Sequence, residues 1–254
     1  MSLQLIPSPT IDDVIARLDA VLDRCIRERC RLGYFAALYR DVTVQVRAAI
    51  VAGEFDDGPR MERLDVTFAS RYLDALERFW RGEPPTRSWL VAFRSAYRWR
   101  PVVLQHLLLG MNAHINLDLG IAAALTAPGA ELPALRADFE RITGLLQGMI
   151  GGQEQRLERV SPWLGLVDRV GGRGEERIVG FAIGEAREIA WRAAQRLALV
   201  APAEREREIA LQDTAVALLA QAIQSPGPLL ASALEIVRIA ERKRVPAVIE
   251  ALRT

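Results

Sequence analysis

Apolar residues recur at three- and four-residue spacing along almost the whole chain, and no run alternates strictly between apolar and polar. That is the one-face period of an α-helix, not the two-residue period of a strand. Thr10 with Asp13 three residues on makes a capping-box pair, Asp replacing the usual Glu, so a first helix opens there and runs to about residue 30, before Gly33. Residues 35–51 repeat the pattern up to Gly53, and residues 61–81 form a third helix closed by Gly82 and the Pro84-Pro85 pair. Thr86 caps a short aromatic helix through Trp89, Phe93 and Tyr97. Pro101 opens a long, very apolar helix reaching about residue 125. Pro133 starts another, which Gly151-Gly152 kinks or ends, since each glycine weakens a helix by roughly 1 kcal/mol. Helices over 175–200, 203–224 and 229–244 follow, with a last turn or two over 246–252. The expected fold is all-α: one multi-helix domain over residues 1–254, of about nine or ten helices around a central, largely buried helix, with a weak sub-boundary near Pro202.

Composition narrows the function classes. The 254 residues carry 33 basic and 32 acidic side chains, a net charge of +1. No basic excess argues for nucleic acid, and no basic face beside an apolar one argues for a membrane surface. The N-terminus lacks a charged region followed by an apolar run, so no secretory signal is expected and the protein reads as cytoplasmic. Lys243 is the only lysine, in a charged run far from the apolar helix, which disfavours Schiff-base and phosphate-loop lysine chemistry. Cys25 and Cys30, placed on one helix, point about 140° apart. That separation suits neither a disulfide nor a shared metal ion.

The apolar helix changes the picture, because polar side chains interrupt it. Both histidines, His106 and His114, lie on it with Asn112, Asn116 and Asp118. Polar groups in so apolar a helix must find partners or cost stability. His114 and Asp118 are four apart and can meet; Asn112 and Asn116, also four apart, lie on the nearly opposite side, and Gly110 leaves space over the histidine face. His106 is two turns from His114, about 12 Å along the axis, too far for one ion to bind both rings. No His-Glu-x-x-His or Glu-x-x-His spacing occurs, so no metal site and no cofactor is assigned.

A second group, Asp65, Phe68, Arg71 and Tyr72, shares a helix face: an acid, a guanidinium and a phenol that line a pocket, or an ordinary Asp–Arg pair at the core edge. Farther on, Glu185, Glu188 and Arg192 read as a solvated charged face with Trp191 in the core, and Gly171-Gly172-Arg173-Gly174 reads as a turn.

Three stretches resemble a bacterial family catalogued only as a domain of unknown function. They are the run from Leu104 through Asn112-Ala-His114-Ile-Asn116-Leu-Asp118, the run Leu64-Asp65 to Arg71-Tyr72, and the segment from Ser161-Pro-Trp163 to Trp191. The resemblance covers about residues 34–194. It implies weight for Asn112, His114, Asn116 and Asp118 and brings no activity with it.

Two functional expectations follow. In the first, the protein is a small-molecule enzyme or binding protein. His114, oriented by Asp118, is a general base or ligand donor; Asp65, Arg71, Tyr72 and His106 complete the pocket, and Asn112 and Asn116 brace the helix. In the second, the same residues form a buried network that only specifies packing. A cavity reaching the His114 ring favours the first; a ring sealed among satisfied neighbours favours the second.

Overall fold

The computed structural model describes residues 9–165 and 180–253. Among the described residues there are ten helices and no strand. They are α1 (Ile11–Glu28), α2 (Gly33–Val51), α3 (Gly58–Trp80), α4 (Arg87–Ser95), α5 (Val103–Thr126), α6 (Leu132–Val160), α7 (Gly180–Leu199), α8 (Pro202–Gln224), α9 (Pro228–Ala240) and α10 (Val245–Leu252).

Helix α5 is the axis. It contacts α2, α3, α4, α6, α7 and α8, so a rod apolar on nearly every side buries nearly every side. It alone among the described helices is long and apolar enough to cross a membrane, yet 78% of its most apolar window is buried inside the fold. Two apolar cores meet along it. One gathers Leu107 and Leu109 with α1, α2, α3 and α4; the other gathers Leu117, Ile121 and Ala122 with α6 and α7. Between the two the rod leaves α-geometry: His114–Leu119 is π-helical. A π turn closes its hydrogen bonds over five residues instead of four, so it holds one extra residue and offsets the two halves of the rod.

Close approach fixes two glycines on α5. A Cβ on Gly110 would lie 2.4 Å from Phe35 Cγ, and one on Gly120 would lie 2.7 Å from the Ala190 carbonyl of α7. Gly110 therefore leaves no space for a guest; the Phe35 ring fills it.

Helix ends follow a rule invisible to local reading. The Thr10–Asp13 capping box at α1 is present in both directions. Thr86 holds the N-cap position of α4 but makes no capping bond. Asp213, on α8, takes that role, accepting from Arg87 N at 2.7 Å, Ser88 N at 2.9 Å and Ser88 Oγ at 2.7 Å. Asp138 of α6 accepts from Asp56 N and Asp57 N at the start of α3, and from the Arg60 and Arg141 guanidiniums. Glu241, after α9, accepts from Val103 N at the start of α5 at 2.8 Å. Three helix N-termini are thus held by carboxylates from distant helices, where orphan N–H groups and the helix dipole favour negative charge.

Two expectations fail here. Helix α6 runs unbroken through Gly151-Gly152, because its residues Leu135, Phe139, Ile142 and Leu157 are buried and tertiary packing outweighs propensity. The cysteines do not share one helix: α1 ends at Glu28, Arg29 turns left-handed at φ 53°, and Cys30 N donates to Cys25 O at 2.8 Å. That turn folds Cys30 back toward Cys25, and both thiols are free. The Gly171–Gly174 run lies outside the described residues.

Candidate functional site

The π turn brings His114 into an aromatic cage. Its ring stacks on Phe68 at 3.5 Å between centroids and 7° between planes. Tyr39 meets it edge-on at 4.4 Å, and Phe35, Tyr72 and Trp89 stand within 5.7, 6.1 and 6.0 Å. His114 is 3% exposed, and neither ring nitrogen has a hydrogen-bond partner. Asp118 meets it at 3.7 Å between Nδ1 and Oδ2, a charge contact longer than a hydrogen bond. Burial pushes the ring below its ordinary value, against the pull of Asp118, so it is neutral near pH 7, with one N–H to donate and one nitrogen to accept.

Asp118 is committed elsewhere. Arg71 Nε donates to Oδ1 and Trp89 Nε1 to Oδ2, both at 2.7 Å, tying α3 and α4 to the rod. Arg71 therefore pairs across helices with Asp118 and not with Asp65 on its own helix. Asp65 is buried with Oδ2 unpartnered, and its carboxyl is pushed up to about 7, by burial first and by Glu62 second. Burial of the Tyr39 phenol first, and Asp65 after it, hold that phenol well above its ordinary value, and the Tyr39 hydroxyl also lacks a partner.

The asparagines brace the rod. Asn112 Nδ2 donates to Val216 O at 3.0 Å, Asn116 Nδ2 donates to Asn112 Oδ1 at 2.9 Å, and Gln212 Nε2 donates to Asn116 O, so the pair fastens α5 to α8. They line an apolar groove of about 460 Å³. His106 sits apart, against Ser95 Oγ at 3.4 Å and the edge of Tyr34. Burial and the nearby Arg31 and Arg238 charges push it down to about 3. With Tyr72 it borders a void of only about 20 Å³.

Of the residues singled out from sequence, His114 and Phe68 reach a second cavity, smaller than the groove beside the asparagines. This is an apolar chamber of about 130 Å³ walled by α2, α3, α5 and α6, with Tyr39, Phe68, Met111 and Leu157 in its lining. Sequence reading missed Tyr39, Phe35 and Arg187. Arg187 is 4% exposed at the chamber edge, donating to Thr143 Oγ1 and Phe139 O with its guanidinium over the Phe139 ring at 4.2 Å. Only its place between Glu185 and Glu188 hid it in a solvated pattern; those two are exposed and half-buried, as expected. Among the described residues no three of His, Cys, Asp and Glu converge so as to hold a metal ion.

The fold and the polar rod define a helical protein assembled around one buried axis. The chain belongs to the Family of unknown function (DUF5995), matched over residues 11–226, a span that takes in α1 through α8. No curated protein and no solved structure matches it.

Proposed function

We propose that the chain binds a compact, mostly apolar small molecule in the chamber beneath α2 and α6, with its one polar group at His114 and Tyr39. The observation that carries this reading is the imidazole itself. It is buried, neutral and without a hydrogen bond on either nitrogen, in the lining of a cavity. Unsatisfied buried polar groups are rare and each costs about 1–3 kcal/mol. Two such groups, His114 and Tyr39, line the cavity, whereas Asp118, Asn112 and Arg71 of the same region have partners.

The chamber sets the size. Its volume resembles that of an apolar cavity of about 150 Å³ known to admit benzene, so the guest has roughly one ring or a short branched chain. A hydroxyl or carbonyl suits the neutral imidazole and the phenol, which can each give and take a hydrogen bond. The same imidazole is placed to accept a proton from a bound hydroxyl, so general-base chemistry is an extension of the binding reading.

The test is a thermal-shift and calorimetric screen of small phenols, cyclic alcohols and ketones against wild type and His114→Phe, which keeps the ring volume and removes both nitrogens. Wild type is expected to gain stability with the polar ligands, by the mass-action relation of binding to the native state, and the variant to lose that gain. Equal stabilisation of both proteins, or none of either by any compact apolar alcohol, phenol or ketone, overturns the reading.

A further inference from the structure

A separate site lies at the other end of α5, where α2, α9 and the loop before α5 meet. We infer that it binds a phosphoryl group, held by Arg31, Arg238, Arg242 and Lys243 against the ring of Trp99. These four cations border one small pocket of about 50 Å³ with Tyr34, Trp99 and the carboxylate of Glu241. None of the four has a carboxylate within 4.0 Å among the described residues.

The two inner guanidiniums are half-buried and already positioned by neutral groups. Arg31 Nη1 donates to Arg98 O at 3.0 Å and to Ala96 O at 3.3 Å. Arg238 Nη1 donates to Pro101 O at 2.8 Å, its guanidinium lies 4.1 Å over Trp99, and its Nε is buried with no partner. Carbonyls fix the orientation of a guanidinium without neutralising it. Burial, and after it the charge of Arg31, already weakens the hold of Arg238 on its proton. Two like charges held this close in a partly desolvated place cost stability until an anion arrives.

Glu241 does not fill that role. Its Oε1 takes Val103 N at 2.8 Å and Ser161 Oγ at 2.6 Å, so the carboxylate serves the α5 N-terminus. Four cations therefore face one carboxylate, whose Oε1 is already engaged at the α5 N-terminus. The pocket has room for a few waters or one tetrahedral oxyanion, on the order of three or four times the 10–15 Å³ one water needs. A dianionic phosphoryl group uses the forked donors of arginine and the compact ammonium of lysine better than a carboxylate does. Lys243, the only lysine in the chain, stands here on the surface with Arg242, where neither has a packing role. The site is independent of the His114 chamber.

The phosphate comes either free or carried on a small molecule, and two probes separate these sources. Inorganic phosphate and glycerol 3-phosphate are titrated into wild type at constant ionic strength, read by calorimetry and by the fluorescence of the protein's tryptophans, Trp99 among them. Saturable binding of either probe is expected, weakened about tenfold or more in Arg238→Met, several-fold in Lys243→Ala, and strengthened in Glu241→Gln, which keeps an acceptor for Val103 N and removes the opposing charge. Tighter binding of the ester points to a phosphorylated small molecule, equal binding to free phosphate. Lys243→Ala changes only an exposed side chain, so it answers the question even if Arg238→Met fails to fold. No saturable binding of either probe, or affinity unchanged in Lys243→Ala and Arg242→Gln together, overturns the inference.

Discussion

Asp118 and His114 stand four residues apart on one rod, equally buried, and the fold treats them oppositely. Asp118 receives an arginine and a tryptophan N–H at 2.7 Å each. His114 receives five aromatic neighbours and no hydrogen bond. The first arrangement is what a structural polar group needs: all its charge answered, three helices fastened. The second is a cost the fold carries, and it stands beside an apolar cavity. Burial of polar residues in the central helix thus teaches nothing by itself; whether each atom has found its partner separates scaffold from site.

The largest expected break in that comparison is on the scaffold side. Asp118→Ala strands the Arg71 guanidinium and the Trp89 N–H, and removing one partner of a buried charged pair costs about 3–5 kcal/mol. Urea unfolding reads this as a lower midpoint; a change under 1 kcal/mol contradicts a structural role for Asp118.

Next comes a pH effect that sets two buried groups against each other. His106, held down to about 3, stays neutral in the fold while the unfolded chain takes up a proton below about pH 6.5. Its contribution is complete above pH 6.5 and erodes as pH falls toward 3. Asp65, raised to about 7, keeps its proton in the fold where the unfolded chain has lost it above about pH 3.9. Its contribution is complete below about pH 3.9 and erodes as pH rises toward 7. Between pH 4 and 6.5 the two slopes oppose. Asp65→Asn leaves the histidine unopposed, so its stability climbs with pH more steeply than wild type by about 1.4 kcal/mol per pH unit. Parallel curves for the two proteins contradict a buried, protonated Asp65.

A smaller effect tests the remote caps. Asp213→Ala uncovers Arg87 N and Ser88 N at the start of α4 and costs about 1–3 kcal/mol, whereas Thr86→Ala, at the nominal N-cap, costs a few tenths. Equal losses from the two changes contradict capping by Asp213.

Much of the fold was legible in the chain. The three- and four-residue apolar period, the Thr10–Asp13 box and the turn residues place most helices within a few positions. What stayed hidden depends on chain segments far apart. Asp213 caps a helix 126 residues before it. The ring of Phe35 occupies the space that Gly110 leaves open. A regular helical wheel correctly brings His114 and Asp118 together, at 3.7 Å, but could not show that the carboxylate's hydrogen bonds go to Arg71 and Trp89. Tyr39 sits in an unremarkable apolar helix, and only its meeting with His114 at 4.4 Å marks it. The helix that carries the site was visible; which of its polar residues lacks partners was a tertiary property.

The smallest stability change carries the most weight. His114→Phe preserves the ring in its cage and deletes two unpartnered nitrogens, so its unfolding free energy is expected to equal or exceed that of wild type while binding of the chamber ligand disappears. Chemical denaturation of the two proteins, without ligand and at pH 7, measures this directly. A loss of more than about 1 kcal/mol in the variant, the typical worth of a net hydrogen bond, shows the imidazole serving the fold and contradicts a site kept for a guest.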